Sequence, residues 1–274
     1  MEDKVLVILS AGKSNLNNNS TPLTKDKITN QTLLDWQLNL AKKYFKKLIL
    51  VTGYQNEKLI KSYPHLEFVI NNDWEVTGPI GSLSKIDFSS RFNYVIMYGD
   101  LLLFDYPNEL IDSSNKDQIC FAYGDQTLYQ NKKLEKVVIN NNDILKFGYQ
   151  CPESKFTYNF CGVISANGSF IKERLVELSS EDLNWNKFFL SDFCEDLRIK
   201  GYKFRKINLK NNWAEILDQN SFSRKILGTK ADSLNNFRSV ICKSNILDQV
   251  KINYEEWNKN KSHCLNLIRN KFAR

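Results

Sequence analysis

Two apolar runs of this chain each end in residues that could bind a phosphorylated ligand. The run Val5–Leu9 breaks into small residues that lead to Gly12 and Lys13, and the later run Val95–Tyr98 leads through a glycine to Asp100. A turn of small residues lets backbone N–H groups approach a phosphate, and a carboxylate at a strand end can hold the Mg²⁺ that accompanies phosphates. Ligands of α/β sheets collect beyond the carboxyl ends of the strands. The two runs therefore predict a nucleotide site.

The elements that would position these residues alternate between strands and helices. Strand-like runs occur at Val5–Leu9, Leu48–Thr52, Leu66–Ile70, Tyr94–Tyr98, Gln118–Tyr123, Lys136–Ile139, Gly162–Ser165 and Tyr202–Ile207. Helical patterns occur at Leu33–Ala41, Gln55–Ser62, Gly168–Leu178 and Phe188–Lys200. Because such alternation is typical of βαβ units, we predict an α/β fold with a mostly parallel sheet. The cluster Asn140–Asn142 predicts the turn of a hairpin.

The composition is that of an ordinary globular protein, with 42% hydrophobic and 25% charged residues among 274. No apolar run approaches the roughly 18–20 residues that span a bilayer. The N-terminus lacks the basic region and the cleavage site of a signal peptide. Six scattered cysteines without a C-x-x-C pair favour reduced thiols, and two histidines make His-based catalysis or metal binding improbable. We therefore expect a cytoplasmic protein that has no membrane partner.

The net charge of +7 is concentrated near the C-terminus. Residues 224–274 contain 11 Lys and Arg against 4 Asp and Glu, so that this excess equals the charge of the whole chain. The segment is helical in pattern, with its best stretches at Phe222–Leu227, Lys230–Arg238 and Glu255–Phe272. We predict one domain at 1–223 and a basic helical extension at 224–274. A solvated face is the favoured reading of this charge, and the chain has no signature of nucleic-acid binding.

Several short motifs follow one another in the order found in one superfamily. They are Leu9–Lys13, Thr21-Pro22, Leu33–Gln37, Val51–Tyr54, Asn71–Trp74 with Gly81–Leu83, and Tyr98–Asp100. Over residues 4–223 the chain resembles the nucleotidyltransferase superfamily, and within it is similar to the small sugar-phosphate and cholinephosphate cytidylyltransferases. The resemblance implies a Rossmann-like, mixed sheet flanked by helices and a Mg²⁺-dependent transfer of a nucleoside monophosphate, here CMP from CTP. The acceptor would be a small phosphorylated or phosphonylated molecule, and pyrophosphate would be released as the second product. The main product would be used in the synthesis of a surface polysaccharide or lipid headgroup.

The resemblance assigns most of the predicted ligand contacts to two loops. Leu9, Ala11, Gly12 and Lys13 fall in the loop that wraps the base and the phosphates in this superfamily. Gly81 and Ser82 match the segment that contacts the base and the ribose, although alone they would indicate only a turn. An acceptor pocket is expected along Phe156–Gly162, where the side chains that could shape it are Tyr158, Asn159 and Phe160.

The resemblance also assigns the metal ligands. Asp100 matches the carboxylate that holds Mg²⁺, and Glu215 matches the first acid of a closing Glu-x-Asp pair; an ordinary surface carboxylate is the equal alternative for Glu215. Leu217 takes the place of the second acid, with Asp218 one residue later. Since a slip of one residue turns a strand side chain to the opposite face, Asp218 is an imperfect substitute. Because the acceptor phosphate is already an anionic nucleophile, catalysis would need only positioning and charge neutralisation.

Departures from the superfamily's pattern keep a second hypothesis open. The loop lacks the usual second glycine and arginine, and Leu23 follows Pro22 where a lysine is usual. Lys13, Lys25 and Lys27 are candidates for the missing charge, although a lysine lacks the fork of an arginine. The alternative is a degenerate, non-catalytic nucleotide-binding domain of the same fold. A dinucleotide-dependent oxidoreductase is disfavoured because Gly12 has no companion glycine before Gly53.

The C-terminal extension carries a second resemblance. The stretch Leu227–Leu234, running through Trp257 to Ile268–Phe272, looks like the lead-in to the ATP-grasp domain of proteins similar to phosphoenolpyruvate synthase. The nucleotide-binding core of that domain is absent from the sequence. Three arrangements are left open: a fusion with such a domain, a homo-oligomer, and a helical extension that packs on the main domain through Phe222, Ile226, Leu227 and Leu234.

Overall fold

A computed structural model describes residues 3–13, 21–25, 30–112, 118–124, 134–210, 212–216, 219–220, 222, 259–260, 263 and 266–267. Most of the predicted C-terminal helices, together with Leu217 and Asp218, lie outside the described residues. Among those described, no helix combines the length and the apolar character needed to cross a membrane.

The described elements alternate between strands and helices, as the sequence predicts. The strands are β1 (Asp3–Ser10), β2 (Lys47–Thr52), β3 (Glu67–Ile70), β4 (Phe92–Tyr98), β5 (Leu101–Leu103), β6 (Gln118–Gly124), β7 (Lys136–Asn140), β8 (Asp143–Gly148), β9 (Thr157–Asn167), β10 (Lys203–Asn208) and β11 (Trp213–Glu215). The helices are α1 (Leu33–Ala41), α2 (Asn56–Ser62), α3 (Pro79–Leu83), α4 (Asn108–Ile111), α5 (Gly168–Glu181) and α6 (Leu190–Ile199), with 3-10 turns at Thr21–Leu23 and Trp185–Lys187.

The chain packs into two compact units, and the first contains the main sheet. It comprises Met1–Gly12, Tyr44–Gly99 and Tyr106–Trp213. The sheet order is β10-β6-β9-β4-β1-β2-β3, with the β7–β8 hairpin attached to β9. β1 lies parallel to β2 and β4, whereas β9 runs antiparallel to both β4 and β6. The predicted α/β fold with a mixed, mostly parallel sheet flanked by helices is therefore confirmed.

Burial explains why β1 and β4 lie at the centre of this sheet. Val5, Leu6, Val7 and Ile8 are each at most 1% exposed, as expected for a strand covered on both faces. Phe189 is the N-cap residue before α6, and the Asp192 carboxylate accepts its backbone N–H, which satisfies one of the free donors at the start of the helix. The apolar side chains of α6 join the same core as the sheet: Leu190, Phe193, Cys194 and Leu197.

The second unit comprises Lys13–Lys43, Asp100–Asp105 and Ala214–Arg274. A capping box starts α1, because the Thr32 hydroxyl accepts the N–H of Asp35 at 3.0 Å while the Asp35 carboxylate accepts the N–H of Thr32 at 2.9 Å. The Trp36 ring of α1 meets Phe222 edge-on at 5.9 Å, and Phe222 is fully buried. Phe222 therefore packs against α1 within this unit.

Several short elements were not predicted. α3, α4, β5 and β11 are three to five residues long, too short for a hydrophobic period to be read, and β9 extends well beyond the predicted Gly162–Ser165. The hairpin predicted around Asn140–Asn142 is present as β7 and β8.

Candidate functional site

The carboxyl ends of β1, β2 and β4 meet at one edge of the main sheet. The carbonyl of Leu9 accepts the N–H of Gly99 at 2.8 Å, and the carbonyl of Ala11 accepts the N–H of Tyr54 at 2.8 Å. Leu9 and Ala11 are 7% and 5% exposed, whereas Gly12 is exposed. The turn after β1 is thus fixed up to Ala11 and opens at Gly12.

Two glycines permit this close approach of strands. A Cβ atom at Gly53 would lie 2.6 Å from Cβ of Trp74 and 2.9 Å from the carbonyl oxygen of Ala11, and one at Gly99 would overlap Oγ of Ser10. These contacts are shorter than ordinary van der Waals contacts, so a larger residue at either position would require its neighbours to move. In contrast, a Cβ at Gly12 would meet no atom within 4 Å. The backbone at Gly12 is therefore accessible to a ligand.

Gly81 and Ser82 lie in α3, where both are buried. A Cβ at Gly81 would lie 2.5 Å from the carbonyl oxygen of Asn186, so glycine permits the close packing of α3 on the Trp185–Lys187 turn. Asn71, itself 0% exposed, donates from Nδ2 to the hydroxyl of Ser82 at 3.0 Å and to that of Thr77 at 2.8 Å. Both residues thus have structural partners, and their contact with a base or ribose stays a prediction.

An aromatic pair, Tyr54 and Trp74, lies beside Gly53, and the motifs that contain these two residues predict no role for them. The rings of Tyr54 and Trp74 are 5.3 Å apart and tilted by 59°, and both residues are half-buried. The would-be Cβ of Gly53 meets Trp74, so this indole covers the turn after β2. A half-exposed aromatic face can stack on a nucleobase, because every base presents a π surface.

In the second unit, the candidate metal ligands Asp100 and Glu215 are carried on adjacent backbone. β5 pairs with β11, and the N–H of Ile216 donates to the carbonyl of Asp100 at 2.7 Å. The next carbonyl, that of Leu101, accepts Nε2 of Gln37 at 2.6 Å. The backbone at Asp100 and Leu101 is therefore held by two hydrogen bonds, one of them from Ile216, the residue that follows Glu215.

Asp100 and Glu215 are both half-buried. Mg²⁺ is commonly bound by one or two carboxylates together with phosphate oxygens of the substrate, and this pair on adjacent backbone fits that donor set. The third predicted ligand, Asp218, lies outside the described residues. Within the part of the chain that is described, no cluster of three or more His, Cys, Asp or Glu side chains forms a metal site by protein ligands alone.

The candidate cations Lys13 and Lys25 are both exposed and belong to the second unit, whereas Lys27 lies outside the described residues. Lys25 forms an antiparallel bridge with Thr32, and the N–H of Leu33 donates to the carbonyl of Thr24 at 2.8 Å. The backbone that carries Lys25 is thus tied to the start of α1. Leu23, where the superfamily has a lysine, is half-buried.

The predicted acceptor segment forms the first half of β9, and its side chains alternate between the two faces of the sheet. Phe160 is 4% exposed and packs on Phe121 and Phe147 in the aromatic core, so it does not line a pocket. Asn159 points to the other face, where Oδ1 accepts from Nζ of Lys136 at 2.6 Å. Lys136 was not identified from the sequence as a contact of this segment, because that contact depends on strand register.

A buried carboxyl group, Glu135, precedes β7. It is 6% exposed and accepts the N–H of Ser191 at 3.0 Å, in the first turn of α6. Burial raises the pKa of Glu135 to about 7, an effect that hydrogen bonds from Ser191 and Tyr98 oppose. The Tyr98 hydroxyl also accepts the N–H of Leu190 at 2.8 Å. The end of β4, the start of β7 and the start of α6 are therefore linked by one buried network.

Comparison with known proteins identifies the class of fold. No protein-family model matches the chain. A curated relative, "Bifunctional protein GlmU" of Buchnera aphidicola subsp. Schizaphis graminum, is 24% identical over 230 residues, which cover 79% of this chain and 48% of that protein. The chain thus spans about half the length of this relative.

Two solved structures resemble the chain over most of its length. The inositol-1-phosphate CTP transferase of T. maritima superposes with a TM-score of 0.60 at 15% identity, covering 88% of this chain and 97% of that one. The CTP:phosphocholine cytidylyltransferase of Streptococcus pneumoniae superposes with a TM-score of 0.63 at 16% identity, covering 82% and 97%. The chain therefore has the nucleotidyltransferase fold.

Proposed function

We propose that the chain is a Mg²⁺-dependent nucleotidyltransferase that transfers CMP from CTP to a small phosphorylated or phosphonylated acceptor and releases pyrophosphate. The observation that carries the proposal is the β5–β11 pair, which holds Asp100 beside the residue after Glu215. CTP is preferred because two structures of the same fold are named as CTP-dependent transferases. The reaction forms a bond between an acceptor oxygen and the α-phosphorus and breaks the bond from that phosphorus to the pyrophosphate oxygen.

The chain's own residues supply positioning and charge. The open backbone at Gly12 would donate N–H groups to phosphate oxygens, since a Cβ there would meet nothing within 4 Å. Lys13 and Lys25 would add positive charge against the triphosphate, and the Tyr54–Trp74 pair would stack on the base. Leu9, Ala11, Gly81 and Ser82 would shape the rest of the nucleotide site. No general base is required, because the acceptor phosphate is already anionic.

Asp100 and Glu215 would hold Mg²⁺, with Asp218 as a further candidate ligand. Bound there, the ion would neutralise charge on the phosphates as it accumulates during transfer. The two carboxylates suit this role because Mg²⁺ takes oxygen ligands and retains room for substrate phosphates and water.

The proposal is tested by incubating the protein with CTP, Mg²⁺ and a panel of phosphomonoesters and phosphonates while pyrophosphate is measured. We expect release with CTP and at least one acceptor, and loss of release when EDTA is added. UTP, ATP and GTP serve as comparison nucleotides. The Asp143→Asn variant is a matched control, because Asp143 is an exposed carboxylate of the β7–β8 hairpin. If no nucleotide and acceptor together release pyrophosphate, the proposed reaction is wrong.

A non-catalytic nucleotide-binding domain is the second candidate, favoured by the missing loop arginine and by Leu23 at a lysine position. Thermal-shift titration separates the two functions, because a ligand that binds the folded state raises its stability by mass action. A transferase should be stabilised by CTP only with Mg²⁺ present. Stabilisation that ignores Mg²⁺, together with no pyrophosphate release, would favour the binding domain.

A further inference from the structure

Four residues of the first unit form one row across the antiparallel part of the main sheet. Lys136 of β7 pairs with Gly148 of β8 on one side and with Asn159 of β9 on the other. Asn159 in turn pairs with Gly124 of β6. Residues that face each other across antiparallel strands place their side chains on the same face. Since two members of the row are glycines, Lys136 and Asn159 are its only side chains.

The indole of Trp213 occupies the space above Gly124. A Cβ at Gly124 would overlap Nε1 of Trp213 and would lie 3.2 Å from its Cδ1. Trp213 is 2% exposed, and among the described residues its indole N–H has no hydrogen-bond partner. A buried donor without an acceptor lowers the free energy of unfolding, and in proteins such a donor commonly binds a ligand, an ion or a water molecule.

The Lys136–Asn159 pair lies next along the same row. Asn159 is 1% exposed, and its Oδ1 accepts one of the three protons of the Lys136 ammonium at 2.6 Å. Partial burial lowers the pKa of Lys136, an effect that the Glu153 carboxylate opposes. A half-buried cation of this kind gains from an anionic partner, because low local polarity strengthens the attraction between opposite charges.

The groups on this face are of the kinds that bind an anion. An ammonium and an indole N–H are donors only, and the acceptor oxygen of Asn159 is already used by Lys136. The opposing charge, Glu153, is on an exposed residue, where water and salt weaken its repulsion of an anion. Phosphoryl and phosphonyl groups present several acceptor oxygens and match such a set of donors.

We propose that Lys136 and Trp213 form a subsite for a phosphoryl or phosphonyl group, the anionic group of the acceptor, and that Asn159 positions the Lys136 ammonium there. The identity of the ligand as an acceptor rests on the proposed function. Binding of the anion by Lys136 and Trp213 does not, because it is argued from the row and the buried indole alone.

Titration of the full chain with inorganic phosphate tests the subsite, with ¹⁵N-labelled tryptophan observed by NMR. The protein has five tryptophans, and the Trp213→Phe variant identifies the Trp213 indole signal while keeping an aromatic ring. We expect phosphate to shift the Trp213 signal saturably and to leave that of Trp185 in place. The Lys136→Met variant should bind phosphate roughly tenfold more weakly or worse, because a charge-assisted hydrogen bond is lost.

Lys146→Met is the matched control, since Lys146 lies on the same hairpin and donates to the carbonyl of Gln150. A Trp213 signal that does not move, or equal phosphate affinity in the Lys136→Met and Lys146→Met variants, would overturn the subsite. Should Trp213→Phe fail to fold, the comparison of the two lysine variants still decides. Phosphate binding at Trp213 without pyrophosphate release from CTP would refute the transferase and leave the subsite standing. Pyrophosphate release from CTP without phosphate binding at Trp213 would refute the subsite and leave the transferase standing.

Discussion

The backbone N–H of Ile216 donates to the carbonyl of Asp100 at 2.7 Å, which joins two segments more than one hundred residues apart. Glu215, the residue before Ile216, is thereby held beside the backbone of Asp100. Gln37 accounts for the neighbouring carbonyl, that of Leu101, at 2.6 Å. The backbone that carries the two carboxylates is thus held by hydrogen bonds to main-chain carbonyls, so that changing either carboxylate should leave this frame intact.

Asp100→Asn and Glu215→Gln should therefore abolish catalysis without unfolding the protein. Loss of one metal ligand removes several kcal/mol of charge stabilisation, which corresponds to at least about a hundredfold fall in turnover. Pyrophosphate release at saturating CTP measures the loss, and thermal unfolding without nucleotide measures the integrity of the fold. Stabilisation by CTP and Mg²⁺ together should disappear in both variants.

Asp143→Asn provides the comparison for both variants, because it removes an exposed carboxylate outside the pair. Unchanged turnover in Asp100→Asn would mean that this carboxylate holds no essential ion.

The second prediction concerns Gly99, which permits the close approach of β1 and β4. Gly99→Ala should destabilise the protein by about 1–3 kcal/mol, because the added methyl overlaps Oγ of Ser10 and would lie 2.9 Å from the carbonyl oxygen of Leu9. Ser10→Ala removes the hydroxyl, so the double variant should recover part of the loss. Urea unfolding of the four proteins gives the coupling energy. Additive effects would show that Ser10 and Gly99 do not compete for the same space.

The capping box of α1 gives a third prediction. Thr32→Ala should cost about 1 kcal/mol, or roughly 3 °C in melting temperature, because the N–H of Asp35 loses its acceptor. Asp35→Asn keeps the side-chain oxygen that accepts the N–H of Thr32 and should cost less. Calorimetric melting of the two variants measures both effects. Equal losses would contradict the assignment of the cap to the Thr32 hydroxyl.

The sequence predicts the main sheet well, because β1, β2 and β4 are apolar runs whose burial leaves a clear signal. Motif order also pointed to Asp100 and Glu215. Their adjacency depends on β5 and β11, two strands of three residues, which are too short to show a period. The motif search could therefore name these carboxylates without showing what holds them.

The register of the strands explains why the neighbours of Lys136 and Trp213 could not be predicted from the sequence. The pairing of β6 with β9 shifts between Phe121 and Tyr123, and this irregularity decides that Gly124 faces Asn159. Hydrophobic alternation alone does not reveal such a bulge. Lys136 and the indole of Trp213 consequently acquire neighbours that their local sequences do not indicate.

The burial of Glu135 is not evident from the sequence for a different reason. A glutamate that follows Lys132 and Lys133 and directly precedes Lys136 is typical of a solvated surface, whereas this one is 6% exposed and accepts the N–H of Ser191. It leads to the fourth prediction, which concerns pH. The pKa of Glu135 is raised from 4.5 to about 7, so the folded protein keeps a proton that the unfolded chain releases near pH 4.5. The contribution of Glu135 to the free energy of unfolding should therefore be greatest below pH 4.5 and should fall as the pH rises to 7.

The size of this fall follows from the difference of the two pKa values. A change from 4.5 to about 7 corresponds to roughly 3 kcal/mol, lost as the pH passes through the folded pKa. Burial raises the pKa of Tyr98 and of Cys194, so both neighbours stay protonated in this range, and Asp192 is the acidic group that faces Glu135 from α6.

Glu135→Gln keeps an oxygen for the N–H of Ser191 and removes the titration. Urea unfolding at pH 5, 6, 7 and 8 should show a smaller decline for this variant than for the parent protein, with the variant the more stable of the two at pH 8. Glu153→Gln, at an exposed position, should follow the parent curve. Parallel curves for the parent and Glu135→Gln would mean that this carboxyl is ionised at neutral pH in the folded protein. The buried network at the start of α6 would then be held by a full negative charge rather than by a shared proton.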